Sequence, residues 1–165
     1  MKNVWAPWRI EYILGEKPDY CIFCHALDQK NDAKTYILYR GKHSFIILNA
    51  FPYNNGHLMV APYQHQSCPT KLDQETALEI HRLTQESIRI LRSVLKAEGF
   101  NIGMNLGKVA GAGVEDHVHT HIVPRWNGDT NFMPVLGDTK VFPEYLKASY
   151  DKLLPKFEAI TDLGS

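Results

Sequence analysis

The chain has no surplus of charge: 18 lysines and arginines balance 18 aspartates and glutamates over 165 residues. Duplex binders usually carry a basic face, so this balance argues against a specific nucleic-acid partner. It leaves room for a local pocket that takes a small phosphate compound. Long apolar runs are also missing. Stretches such as Phe45-Ile46-Ile47-Leu48 fall far short of the ~20 residues that span a bilayer, and no membrane partner is expected. The start, MKNVWAPWRIEY, has no apolar h-region and does not read as a secretory signal. Cysteine is scarce at three, too few in such a context for a disulfide framework, and the expected compartment is the cytoplasm. Internal repeats and low-complexity tracts are absent. With 44% hydrophobic and 22% charged residues the composition is ordinary for a globular protein, which excludes collagen-like chains and wholesale disorder. The length fits a single domain, at ~100–200 residues each.

Along the chain, residues 1–19 read as an aromatic arm through Trp5, Trp8 and Tyr12, too apolar to be a solvated tail. Asp28–Lys34 is polar and reads as a loop. Thr35–Arg40 and His43–Asn49 carry the β-branched and aromatic residues of strands, joined at Gly41-Lys42. Asn55-Gly56 is turn chemistry, and His57–Ala61 is a third strand stopped by Pro62. Thr70–Gly99 is the one long helix, with Thr70-x-x-Asp73 resembling a capping box and Gly99 as its C′ residue. Leu78, His81, Thr84, Ile88, Leu91 and Leu95 define its apolar face. Asn101–Leu106 and His117–Pro124 read as two more strands. The tail, Pro143–Ile160, has helical spacing that Pro155 breaks. Five strands with one long helix between the third and fourth, and a C-terminal helix, make an α+β fold on an antiparallel sheet.

The chemistry gathers in Asp116-His-Val-His-Thr-His-Ile-Val-Pro124. On a strand, side chains alternate faces, so His117, His119 and His121 project together, ~6–7 Å apart at ~3.3 Å rise per residue. Such a row suits a metal site or catalysis; the plain alternative is a half-buried strand with histidine on its polar face. The preceding Gly107–Gly113 stretch brings backbone N–H groups close to an anion, with Lys108 adding charge, and next to the row it reads as a phosphate cradle. Its spacing is neither that of a Walker loop nor of a dinucleotide fingerprint. Cys21-x-x-Cys24 needs two further ligands to hold zinc, with His25, His57, His65, His81 and the row as sources. Paired buried thiols are the bland alternative. His25 sits too near Cys24 to be a comfortable ligand.

H-x-H-x-H followed by apolar residues and Pro124-Arg125 resembles the motif of the histidine triad (HIT) family of nucleotide hydrolases and transferases. Cys21-Ile-Phe-Cys24, Asn49, Asn55-Gly-His-Leu-Met-Val-Ala-Pro62-x-x-His65 and Gly103-x-Asn105-x-Gly107 match that family in order, over roughly residues 20–126. The flanks Trp5-Ala-Pro-Trp-Arg9-x-x-Tyr12 and Pro124-Arg-Trp-Asn-Gly-Asp129-x-Asn131-Phe132 resemble its bacterial diadenosine tetraphosphate phosphorylase branch. The resemblance implies one HIT domain over residues 1–165: arm 1–19, core 20–126 and extension 127–165. It implies His119 as nucleophile toward the α-phosphorus, His121 as donor to phosphate or leaving group, and Asn105 as a phosphate contact. Asn49 would meet the ribose, Phe45, Ile47 and Leu48 the base, and Gly107 and Gly113 the phosphates. Cysteine-bearing relatives similar to galactose-1-phosphate uridylyltransferase imply a structural zinc on Cys21, Cys24, His65 and His117, with His57 and His81 left structural. The family also implies a homodimer or larger even oligomer.

One departure bears on the reaction. Hydrolytic relatives often carry glutamine four residues before the first triad histidine, where this chain has Gly113. The missing side chain favours inorganic phosphate as second nucleophile, and hence phosphorolysis of diadenosine tetraphosphate to ATP and ADP. The alternatives are a hydrolase that releases AMP from dinucleotides or phosphoramidates, and a nucleotide-binding protein without catalysis.

Overall fold

The structure, a computed structural model, describes residues 19–129 and 144–161. The aromatic arm with Trp5, Trp8 and Tyr12, and Asn131 and Phe132 in the extension, lie outside the described residues. In chain order the elements are helix α1 (Ile22–Asp28), a short α2 (Asp32–Thr35), strands β1 (Ile37–Arg40), β2 (Ser44–Leu48) and β3 (Leu58–Pro62). Helix α3 (Gln74–Leu95), β4 (Gly99–Gly103), β5 (Thr120–Arg125) and α4 (Leu146–Glu158) follow. The strands form one five-stranded sheet in the order β1-β2-β3-β5-β4, every neighbour antiparallel.

The sheet buries both faces. On one, Ile46, Leu48, Leu58, Val60 and Ile122 pack against Ile80, Leu83 and Leu91 of α3 and Tyr150, Leu153 and Phe157 of α4. On the other, Ile37, Phe45, Ile47, Met59 and Ala61 are covered by Phe23 and Ala26 of α1. Period-two alternation along β2 sends Phe45 and Ile47 to the α1 side and Ile46 and Leu48 to the α3 side.

Several boundaries differ from expectation. The stretch read as a loop is helical through α2 and the end of α1. The long helix starts later, because Asp73 is its N-cap and accepts from the Thr76 N–H at 2.7 Å, while Thr70 sits in a preceding 3₁₀ turn. It ends earlier too: Lys96 takes the left-handed conformation at φ 54°, and Gly99 already belongs to β4. Its buried side runs through Thr76, Ile80, Leu83, Thr84, Ser87, Ile90 and Leu91, so the true stripe is rotated from the expected one. Leu78 and His81 are exposed, and His81 therefore lies off the apolar face. Pro62 ends β3 inside the ladder, opposite Ser44. Pro155 sits within α4 without ending it, because burial of Leu153 and Phe157 holds the last turn. Gly56 marks a close approach: it has φ 67°, and a Cβ there would fall 2.4 Å from Leu95 Cδ1.

Candidate active site and metal centre

The ladder of β5 begins at Thr120, so His117 and His119 lie just before it, and only His121 has ladder partners, Met59 and Gly103. The segment is still held, by the Val118 N–H donating to the Gln66 carbonyl at 2.6 Å. All three rings end up on the α1 side. His119 and His121 have ring centroids 4.7 Å apart, and Phe23 lies 5.0 Å from His117 and 4.8 Å from His119.

Hydrogen bonds fix the tautomer of each ring. His119 Nδ1 lies 2.8 Å from the backbone carbonyl of His117. A carbonyl only accepts, so Nδ1 carries the hydrogen, and the neutral ring keeps its lone pair on Nε2. His57, fully buried, accepts from the Tyr53 N–H at its Nδ1 (3.0 Å), and its Nε2 therefore donates to His121 Nδ1 at 3.0 Å. His121 is left with its hydrogen on Nε2. The pair thus offers one ring nitrogen as nucleophile and its neighbour as donor. Burial holds His119 below the usual histidine range, opposed by its bond to the His117 carbonyl. Burial, then the adjacent His119, pushes His121 down to about 4. Both rings are neutral at pH 7.

A pocket opens over these rings. His119, His121 and Asn105 line one part of it together with Gly111 and Gly113. Asn49, Phe51, Tyr53 and Met59 line another, and Ile22, Phe23 and Val114 close the apolar side. Asn49 is braced, its Oδ1 accepting from the Phe51 N–H at 2.9 Å. Five residues expected at the substrate lie elsewhere. Leu48 faces the α3 side, as alternation along β2 demands, and belongs to the core there. Phe45 has the correct side but no exposure, shut behind Phe23 and stacked on Tyr63 at 5.8 Å. Ile47 lies in that same core. Gly107 does not line the pocket; at φ 77° its carbonyl accepts from Ala110 and Ala112 and shapes the loop from behind. Lys108 sits in that loop, exposed and outside the pocket lining.

Below the histidines, Cys21, Cys24, His65 and His117 converge, one ligand atom from each, all within 4.8 Å of one another. His117 Nε2 donates to the Pro62 carbonyl at 2.8 Å, which leaves the Nδ1 lone pair facing Cys21 Sγ at 3.3 Å and Cys24 Sγ at 3.7 Å. His65 Nδ1 is 3.4 Å from Cys24 Sγ. A tetrahedral zinc with Zn–S ~2.3 Å and Zn–N ~2.0 Å separates its sulfur and nitrogen ligands by ~3.5 Å, so the set fits. The carbonyl bond at Nε2 is the outer contact that ligating histidines usually make. Burial, and then the Cys21 thiol, push Cys24 up to about 11, which disfavours the thiolate a redox pair needs. His25 takes no part, bonding Gln29 at 3.1 Å.

A family profile described as the HIT domain matches residues 30–128. An "AP-4-A phosphorylase" of Mycobacterium tuberculosis is 36% identical over 156 residues, covering 89% of this chain and 80% of that protein. This chain belongs to the HIT family. Another HIT relative, "Adenosine 5'-monophosphoramidase hnt1" of Schizosaccharomyces pombe, is 28% identical over 141 residues, covering 84% of this chain and 98% of that protein. Among solved HIT structures, a zinc-bound histidine triad protein of Mycobacterium smegmatis superposes with a TM-score of 0.68 at 29% identity, over 84% of this chain and 93% of its own. The five-stranded antiparallel HIT sheet with its helices is thus the fold of this chain.

Sequence reasoning missed His57 as a member of this HIT site. A lone histidine at a strand start carries no spacing signal; what places it is the pairing of β3 with β5, which sets Met59 opposite His121. Ile22 and Phe23 were readable only as the filler between two cysteines. Their role follows from α1, which turns them onto the sheet.

Proposed function

We propose that the protein is a nucleotidyl transferase that cleaves diadenosine tetraphosphate by phosphorolysis through a nucleotidyl-histidine. The observation that carries this reading is the bond from His119 Nδ1 to the His117 carbonyl, which commits the Nε2 lone pair to attack. In the first half-reaction the Nε2–phosphorus bond forms at the α-phosphate, the bond to the bridging oxygen breaks, and ATP leaves. The ring becomes cationic, and the carbonyl at Nδ1 stabilises that charge. In the second, an oxygen of inorganic phosphate attacks the same phosphorus, ADP forms, and His119 returns neutral. His121 Nε2–H and Asn105 donate to the phosphate oxygens as charge develops. Asn49 meets the ribose, and Ile22, Phe23 and Phe51 the base.

The phosphorylase relative, and Gly113 in the pocket lining where hydrolytic relatives often carry glutamine, support phosphate rather than water as second nucleophile. The phosphoramidase relative supports the rival reading, hydrolysis to AMP. Product analysis with diadenosine tetraphosphate, with and without phosphate, decides. ADP plus ATP formed only with phosphate is the expected result; AMP plus ATP in plain buffer would establish the hydrolase instead.

Cys21, Cys24, His65 and His117 would hold a zinc ion that supplies structural cross-linking alone, since four protein ligands leave no open position. Pairing of two copies through β4 completes the reading. This strand ends the sheet and exposes Ile102, and the segment just after it exposes Met104 and Leu106.

A further inference from the structure

Asn54 takes no part in the chemistry above, yet it is buried at 8% exposure and uses both hydrogens of its amide. Nδ2 donates to the Pro124 carbonyl at 3.0 Å and to Asp129 Oδ2 at 2.8 Å. Both acceptors stand at the far end of β5 from the triad. Asp129 is itself held: Arg125 donates from Nε at 2.7 Å and Nη2 at 2.8 Å, and the Trp126 N–H at 3.2 Å. Arg125 reaches on to Asn101 Oδ1 of β4 at 2.8 Å. The amide is therefore bolted to the joined ends of β4 and β5.

Its backbone faces the other way. The Asn54 carbonyl accepts from the His57 N–H at 3.1 Å and closes the turn 54–57. Gly56 in that turn has φ 67° and lies against Leu91 and Leu95 of α3, so the turn has little room to drift. His57 leaves the turn and donates to His121. We propose that Asn54 is a positioning residue for nucleotidyl transfer: by pinning the turn to Pro124 and Asp129, it delivers His57 to His121 and keeps the His121 hydrogen on Nε2, toward the phosphates. This rests on the proposed function for its consequence in turnover, and on geometry alone for its effect on His121.

The site demands two donors. Aspartate at position 54 would set a carboxylate against the Asp129 carboxylate and the Pro124 carbonyl, three acceptors with no hydrogen between them. Alanine removes both bonds and with them the tie between the turn and the ends of β4 and β5. Displacement of a supporting group by about 1 Å can cost ~10²-fold in rate.

The test uses full-length native protein, Asn54→Ala and the near-isosteric Asp129→Asn. Melting, turnover of diadenosine tetraphosphate with phosphate, and long-range proton–nitrogen NMR of the imidazoles at pH 7 are measured on each. Native His121 is expected to show hydrogen on Nε2 only. In Asn54→Ala a mixture of both tautomers should appear at His121, with kcat lower by ~10–100-fold and KM within about twofold. Asp129→Asn should show the same split on a smaller scale, and it decides the matter should the alanine variant fail to fold. An unchanged His121 tautomer in the folded variants would overturn the proposal, as would native kcat in Asn54→Ala. The NMR arm needs no substrate. Failure of native protein to turn over the dinucleotide would sink the proposed function, and the His121 tautomer would then decide the role of Asn54 by itself.

Discussion

His121 and His119 share a small volume and still take different roles, because their hydrogen-bond partners differ. A backbone carbonyl accepts from His119, whereas the His57 ring donates to His121. Burial supports both roles, since a cationic ring there would lack solvation. With its conjugate acid near 4, His121 remains a neutral donor far below the free value near 6.5. The expected pH profile of kcat/KM therefore has its acid limb shifted below the free histidine value of about 6.5, since burial lowers both rings. Half-maximal activity near 6.5 would contradict it. Stability follows the same sign: the unfolded chain binds this proton first, so the contribution is intact above about 6.5 and is lost as pH falls toward 4. The triad itself was legible in the sequence because three histidines at period two have few structural uses. His57 was not, since its meaning depends on a partner 64 positions away.

At the scale of elements, α1 does two things at once. Cys21 and Cys24 belong to the cysteine–histidine cluster proposed to hold zinc, while Ile22 and Phe23 between them line the pocket. Loss of the metal should therefore loosen both. Cys21→Ala is expected to bring zinc content from about one per chain to near zero, to lower Tm by roughly 10 °C at ~2–4 °C per kcal/mol, and to weaken nucleotide binding. Metal analysis with calorimetry checks it; an unchanged Tm and unchanged binding would refute it. Strand positions are readable from β-branched runs, and the Cys₂His₂ set from the family resemblance alone. The α3 face was misread by a rotation, because Leu78 looks like core on periodicity, and the packing of Ile80, Leu83 and Ile90 on the sheet outweighs it. Leu48 was misplaced for a simpler reason. Phe45 and Leu48 lie an odd number of residues apart on β2, so one strand cannot send both to the same pocket.

At the scale of the molecule, the sheet separates structural work from chemistry: α3 and α4 fill one face, and the cysteine–histidine cluster and pocket occupy the other. On the proposed pairing, a second copy closes the sheet at β4. Light scattering should give a particle of twice 18.9 kDa, and Ile102→Lys, which sets a charge on the exposed edge, should reduce it to one chain. A native monomer at micromolar concentration would rule the pairing out.

Covalent capture at His119 reads the chemistry most directly. Native protein mixed briefly with diadenosine tetraphosphate in the absence of phosphate, quenched without acid and digested, should carry one added adenylyl group on the peptide that contains His119. In the proposed complex Asn49, Asn105, Gly111 and Gly113 still contact the ground-state nucleotide when that ring is removed. His119→Ala should therefore bind nucleotide within a fewfold of native, carry no adduct, and lose at least ~10³-fold in kcat. An adduct on any other residue, or turnover by His119→Ala within tenfold of native, would contradict the role of the His119 Nε2 lone pair.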